Sequence, residues 1–67
     1  MNNGITITSS DNEVLIKGNK DELRELAEYI TNVANSTNSN DHIHLDNLTI
    51  ISNDSPVKEL IIEKEDK

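Results

Sequence analysis

Asn19–Ser36, NKDELRELAEYITNVANS, is the longest segment of the chain with a helical period. The shorter segments before and after it supply the surface that covers its apolar side. Its apolar residues recur at steps of three and four, so they fall along one side of an α-helix. These residues are Leu23, Leu26, Ala27, Ile30, Val33 and Ala34. Asp21, Glu25, Glu28 and Asn32 fall on the opposite, solvated side. The sequence therefore predicts a helix over about 20–35, with one apolar face that the rest of the chain must cover.

Both ends of this helix carry recognisable signals. Asn19 is a favourable N-cap residue, and Glu22 three positions later completes the spacing of a capping box. Asp21 and Glu22 lie in the first turn, where the helix dipole favours acidic side chains. The segment after the helix is polar and has neither apolar residues nor a period, so residues 36–41 are predicted to form a loop.

Short alternating segments on either side of the helix predict strands. Ile5–Thr8 and Glu13–Lys17 precede it and are joined by turn-forming residues, which indicates a hairpin. Asp41–Asp46 and Val57–Lys64 follow it, and a turn over 52–56 comes before the last strand. Three interpretations stay open for Leu48–Ile51: it extends the third strand, forms a short strand of its own, or covers the core as a loop.

The order β-β-α-β-β predicts a two-layer α+β domain, in which one antiparallel sheet of about four strands carries the single helix on one face. The strand residues expected to meet the helix are Ile5, Ile7, Val14, Ile16, Ile43, Leu45, Leu60 and Ile62. Those expected on the open face are Thr6, Thr8, Leu15, Lys17, His42, His44, Ile61 and Glu63. A chain of 67 residues is one domain, 1–67, and the charged tail 64–67 is expected to be mobile.

The charge balance narrows the classes of partner. Thirteen acidic and six basic residues give a net charge of −7. Nucleic acids and anionic membranes are bound through Lys and Arg, so this balance argues against both. It suits a basic protein partner, because opposite charges accelerate the encounter of two proteins. The alternative is that acidity simply keeps a small protein soluble. No apolar run approaches the about 20 residues that span a bilayer, and no signal peptide is recognisable, so we expect a cytoplasmic protein.

His42, His44 and Asp46 form the most suggestive chemical constellation. At a spacing of two on a strand their side chains point the same way, so they are candidate ligands of zinc or another divalent metal. The simpler interpretation, which we prefer, is that they are the polar positions of a strand whose Ile43 and Leu45 face the core. No nucleophile or phosphate-binding motif is present, and neither catalysis nor a cofactor is expected.

Five residues are candidates for binding a protein partner. Leu15 and Ile61 are apolar positions on the open sheet face. They are either isolated exposed residues, which are common on protein surfaces, or the centre of an interface. Tyr29, the one aromatic residue, is predicted at the flank of the helix stripe, where it either contacts a partner or covers the edge of the core. Glu25 and Glu28 belong to the acidic row of the helix, which is a solvated face or a contact for a basic partner.

Three short motifs in the chain carry a family resemblance. They are GxxxxLxxLAxxI over Gly18–Ile30, HIHLD at 42–46 and the closing ELIIE at 59–63. With these motifs residues 13–64 resemble the small immunity proteins of bacterial polymorphic toxin systems, in particular the family catalogued as immunity protein thirty-two. The resemblance implies a cytoplasmic bacterial protein that neutralises a cognate toxin by occlusion. It transfers neither catalytic residues nor a set of toxin contacts.

Three functional hypotheses follow. The first is a toxin inhibitor that uses the acidic helix face, the open sheet face or both. The second is a small homodimeric structural or regulatory module, joined through an edge strand or the open face of the sheet. The third is a metal-binding protein that uses His42 and His44.

Overall fold

The computed structural model describes residues 4–38 and 41–65. Over these residues the chain forms β1 (Thr6–Ser10), β2 (Glu13–Lys17), α1 (Lys20–Ala34), β3 (His42–Leu45) and β4 (Leu60–Glu63). For the described residues, the α+β class, the single helix and the order of the elements are confirmed. Within the described residues, no helix has the length and apolar composition that crossing a membrane requires.

The expected single sheet of about four strands is wrong. The described strands form two separate two-stranded antiparallel sheets, β1–β2 and β3–β4. Ile7 lies opposite Ile16 in the first sheet, and Ile43 lies opposite Ile62 in the second. The two sheets do not join because the segment 50–57 occupies the edge of β1 that a third strand would need.

Residues 50–52 form the first part of this covering segment. The Ile5 amide donates to the Ile50 carbonyl at 2.8 Å, and the Ser52 amide donates to the Ile5 carbonyl at 2.8 Å. These bonds make one parallel bridge between Ile5 and Ile51. Ile50 and Ile51 are 3% and 2% exposed. Of the three interpretations of Leu48–Ile51, the structure therefore selects the loop that covers the core.

Residues 55–57 continue along the same edge of β1. The Val57 amide donates to the Ile7 carbonyl at 3.0 Å. The Ile7 amide donates to the hydroxyl oxygen of the buried Ser55 at 2.8 Å, so a side chain takes the place of a backbone acceptor. The hydrogen bonds of this edge are therefore completed by an irregular segment instead of a strand.

The core combines residues from both sheets, the helix and the covering segment. Its buried members are Ile5, Ile7, Leu26, Leu45, Ile50 and Ile51. Ile43, Leu60 and Ile62 are half-buried and pack against this cluster, as expected. The expectation is wrong for Val14 and Ile16, which are 65% and 36% exposed. Both lie on β2, the outer strand of the hairpin, which the helix does not cover because it packs on β3 and β4.

The apolar stripe of α1 is wider than the surface that covers it. Leu26 and Val33 are buried, whereas Leu23 and Ile30 are 42% and 43% exposed. A two-stranded sheet presents a narrow face to a helix, so only the centre of the stripe is enclosed. Tyr29 is half-buried and packs against the core, which agrees with its predicted place at the flank.

The ends of the helix agree with the sequence signals. The Glu22 amide donates to the Asn19 side chain, and the Asn19 amide donates to the Glu22 carboxylate, both at 2.8 Å. Beyond the helix, the Lys64 amide donates to the Asp41 carbonyl at 2.8 Å. The Lys64 ammonium group donates to the Ser36 carbonyl at 2.5 Å. Lys64, expected to begin the tail, is thus tied to the loop. Residues 39–40 of that loop and 66–67 of the tail lie outside the described part of the chain.

Candidate functional site

One side of α1 forms a shallow acidic groove. Glu25, Glu28, Tyr29 and Asn32 line a depression of about 150 Å³, and we call these four residues the helix groove. They come together because steps of three, four and seven residues lie on one side of an α-helix. Glu25, Glu28 and Asn32 are exposed, and Tyr29 is half-buried. Three of the five predicted partner-binding residues therefore share one surface.

The chemistry of the helix groove suits a cationic side chain. Two carboxylates accept charge-assisted hydrogen bonds from Lys or Arg, and a tyrosine ring can also attract a cation over its face. The depression is smaller than the about 300–1,000 Å³ of pockets that enclose drug-sized ligands. Its size therefore fits one side chain of a protein partner better than a whole small molecule. Asn32 was placed on the solvated face from the sequence but was not predicted to bind.

Leu15 and Ile61, the other two candidates, lie on different sheets. Leu15 is on β2 opposite Thr8, and Ile61 is on β4 opposite His44. They are 59% and 51% exposed, so the prediction that neither faces the core is confirmed. The expected common face is wrong, because it required one continuous sheet. Each residue belongs to a surface of its own.

The histidine constellation does not assemble into a metal site. The rings of His42 and His44 meet edge to face, with centroids 5.1 Å apart. The Nδ1 atom of His44 lies 2.9 Å from the Glu59 carboxylate, a partner that the sequence did not indicate because it is fifteen residues away. The Asp46 carboxylate instead accepts from the Leu48 amide at 2.9 Å and shapes the following turn. Across residues 4–38 and 41–65, no group of three or more potential ligands is placed to hold a metal ion.

A second depression, at the start of α1, has a structural explanation. Its lining includes Gly4, Asn19 and Glu22. The Glu22 carboxylate accepts from the Asn19 amide and from the Gly4 amide, each at 2.8 Å. These two backbone donors, Asn19 first, hold the pKa of Glu22 below its ordinary value of 4.5. The carboxylate is therefore engaged in joining the segment before β1 to the helix.

The comparison with known families adds the identity that geometry alone does not provide. The sequence profile of the family described as Immunity protein 32 matches residues 13–65. The chain belongs to this family. No curated protein and no solved structure matches it. The resemblance drawn from the sequence over 13–64 is confirmed.

The part of the chain that matches the immunity protein family contains all the candidate surfaces. It begins at Glu13, the first residue of β2, and extends past the end of β4. The helix groove, Leu15 and Ile61 all lie within it. The segment 50–57, which separates the two sheets, also lies within it, so the unexpected part of the fold belongs to the matched region.

Proposed function

We propose that this protein is an immunity protein that binds a cognate bacterial toxin and blocks it by occlusion, without catalysis of its own. Membership of the Immunity protein 32 family carries the proposal. A small domain is suited to this role, because covering an active site or an essential surface requires shape and charge rather than reactive groups. The family description supports toxin binding in general, and the surface that makes the contact is our inference.

The helix groove is the surface we propose for the toxin. It gathers Glu25, Glu28 and Tyr29 around a depression that accommodates a basic side chain. Tyrosine and arginine at the well-packed centre of an interface often contribute much of its binding energy. The proposed partner is therefore a toxin with an exposed Lys or Arg, which would enter between the two carboxylates of α1.

The net charge of −7 supports the same type of partner. Opposite charges raise the rate of encounter between two proteins, and the effect weakens as salt screens the charges. A basic toxin would accordingly be captured faster at low ionic strength than at high. The cytoplasm, where a toxin made by the same cell or delivered by a neighbour would act, is the proposed compartment.

The first test is growth rescue. The C-terminal domain of the protein encoded immediately upstream would be expressed in bacteria, alone and together with this chain. We expect the domain to stop growth and this chain to restore it. A domain that is harmless, or that stops growth in both cultures, contradicts the proposed pairing.

The second test places the contact on the helix groove. The double variant Glu25→Lys, Glu28→Lys should associate with the toxin domain at least about tenfold more slowly at low salt, because it reverses both steering and contact charges. The matched control is Asp54→Lys, Glu63→Lys, which changes the net charge equally on other exposed positions. Stopped-flow association at two salt concentrations measures both.

The control variant distinguishes a direct contact at the helix groove from long-range attraction by the net charge. If only the net charge matters, both double variants slow association equally and the helix groove is not the contact. Ile61→Asp tests the open face of β3–β4, on which Ile61 is 51% exposed. We expect Ile61→Asp to bind the toxin domain as the unchanged protein does.

A further inference from the structure

β2 is an exposed edge strand whose charged residues lie only at its two ends. All five of its residues, Glu13–Lys17, are exposed, and three consecutive ones are apolar. Val14 and Leu15 are 65% and 59% exposed. Soluble proteins usually protect such an edge with charged side chains, a proline, a bulge, or a covering helix or loop. The centre of β2 has no charge and no proline, and its ladder with β1 is regular.

The backbone of β2 also has hydrogen-bonding groups that point outward. Along an antiparallel strand, residues alternate between bonding to the partner strand and pointing away from it. The amide and carbonyl groups of Ile7 point away from β2, because they form hydrogen bonds with Ser55 and Val57. Ile16 lies opposite Ile7, so its amide and carbonyl must point to the free edge of β2. The amide and carbonyl of Val14, two positions earlier, must point the same way. Among the described residues, no hydrogen bond is made to these outward groups.

We propose that β2 pairs antiparallel with β2 of a second copy of this chain, about a twofold axis at Leu15. The sequence EVLIK is self-complementary in this register. Val14 would exchange two hydrogen bonds with the partner's Ile16, and Ile16 would do the same with the partner's Val14. The four outward groups of each edge would all be satisfied, in a continuous sheet of the order β1-β2-β2-β1.

Side chains complement each other in the same register. Glu13 would lie opposite the partner's Lys17 on one face, with the two Leu15 side chains between the two charge pairs. Opposite charges placed directly across two strands stabilise a sheet, and like charges destabilise it. In the single protein Glu13 and Lys17 lie opposite Ser10 and Thr6. Neither forms an ion pair with another residue of the described part of the chain, so both charges are available to a partner.

Charge reversal tests both the dimer and its register. A five-residue edge is a small interface, so sedimentation velocity should show a monomer becoming a dimer between about 10 μM and 1 mM. Glu13→Lys alone, and Lys17→Glu alone, should each weaken the dimer by about fivefold or more, since each places like charges opposite one another twice. The double variant Glu13→Lys, Lys17→Glu restores both pairs and should return to within about twofold of the original affinity.

A single introduced thiol provides an independent test. The chain has no cysteine, so Leu15→Cys carries the only thiol. At the twofold axis two opposite residues that do not exchange hydrogen bonds have Cα atoms about 4.5 Å apart, within the range that a disulfide spans. We expect Leu15→Cys to cross-link rapidly under mild oxidation. Leu48→Cys, at a position that is 87% exposed and outside β2, is the control and should cross-link slowly.

The outcomes distinguish this proposal from the toxin-binding proposal. A protein that stays monomeric at about 1 mM, or a dimer that neither single charge reversal weakens, overturns the proposed pairing. Equal cross-linking of Leu15→Cys and Leu48→Cys does the same. None of these results bears on growth rescue, because the helix groove contains no residue of β2.

Discussion

At the scale of single residues, Ser55 is the clearest case of a side chain that completes the backbone. It is fully buried. Its hydroxyl oxygen accepts from the Ile7 amide at 2.8 Å, and the hydroxyl donates to the Val57 carbonyl at 2.6 Å. Ser55→Ala would leave the Ile7 amide inside the protein without this acceptor. We expect the free energy of unfolding to fall by about 1–3 kcal/mol, measured by urea denaturation.

A serine of the neighbouring strand is the control for this prediction. Ser9 lies on β1 and is exposed. Ser9→Ala should change the free energy of unfolding by no more than about 0.5 kcal/mol. Equal midpoints for Ser55→Ala and the unchanged protein would mean that the Ile7 amide does not depend on Ser55.

At the scale of the elements, the start of α1 links local sequence to a tertiary contact. The capping box depends only on residues three positions apart, whereas the bond from the Gly4 amide to Glu22 spans eighteen residues. Asn19→Ala removes the cap and should cost about 1 kcal/mol of stability. Glu22 contributes in addition through its charge, which gives its role a pH dependence.

The charge of Glu22 predicts how stability changes in acid. The pKa of Glu22 in the folded protein is lowered from 4.5 by the Asn19 and Gly4 amides. A lowered pKa means that its stabilisation is present above about 4.5 and is lost as pH falls through the folded value. Glu22→Gln should therefore melt at a lower temperature than the unchanged protein at about pH 7, and the two melting temperatures should converge as pH falls through the lowered pKa of Glu22.

The loss of stability that Asp41 causes in acid has to be distinguished from the loss caused by Glu22. The Ser36 hydroxyl and then the His42 amide lower the pKa of Asp41, so acid also destabilises the protein there. That loss is common to the unchanged protein and Glu22→Gln, and it cancels in their difference. Glu28→Gln, on the exposed side of the same helix, is the control. A difference between Glu22→Gln and the unchanged protein that stays constant with pH would contradict the assigned role of the charge.

At the scale of the whole molecule, the segment 50–57 holds the two sheets in one fold. Ile51 is 2% exposed and belongs to the core cluster with residues of β1, β3 and α1. Ile51→Ala should lower the free energy of unfolding by about 2–5 kcal/mol. This is a large part of the stability of so small a domain, so the variant should be substantially unfolded at about 37 °C, as measured by circular dichroism.

Leu48 provides the matched comparison in the same region of the chain. It is 87% exposed, so Leu48→Ala removes an apolar side chain of similar size from the surface instead of the core. It should change the free energy of unfolding by no more than about 0.5 kcal/mol. Similar losses in Ile51→Ala and Leu48→Ala would mean that burial in this region does not stabilise the fold.

Features that depend on near neighbours follow from the sequence alone. The helix follows from a period of three to four residues, its cap from Asn19 and Glu22, and the hairpin from two alternating runs joined by a short turn. The helix groove is also local, because Glu25, Glu28 and Tyr29 share a side of any helix that contains them. The family was recognisable too, since the short motifs that carry the resemblance lie in the region 13–65 that its profile matches.

The division into two sheets, in contrast, depends on contacts between distant parts of the chain. Strand alternation indicates which side chains share a face, but it does not indicate which neighbour occupies a free edge. The edge of β1 is taken by Ser55 and Val57, about fifty residues along the chain from Ile7, through contacts that leave no periodic signal. Because the two sheets are separate and the helix packs on β3 and β4, Val14 and Ile16 stay exposed, and Leu15 and Ile61 lie on separate surfaces. Long-range hydrogen bonding, rather than local pattern, therefore determines which apolar residues remain available to a partner.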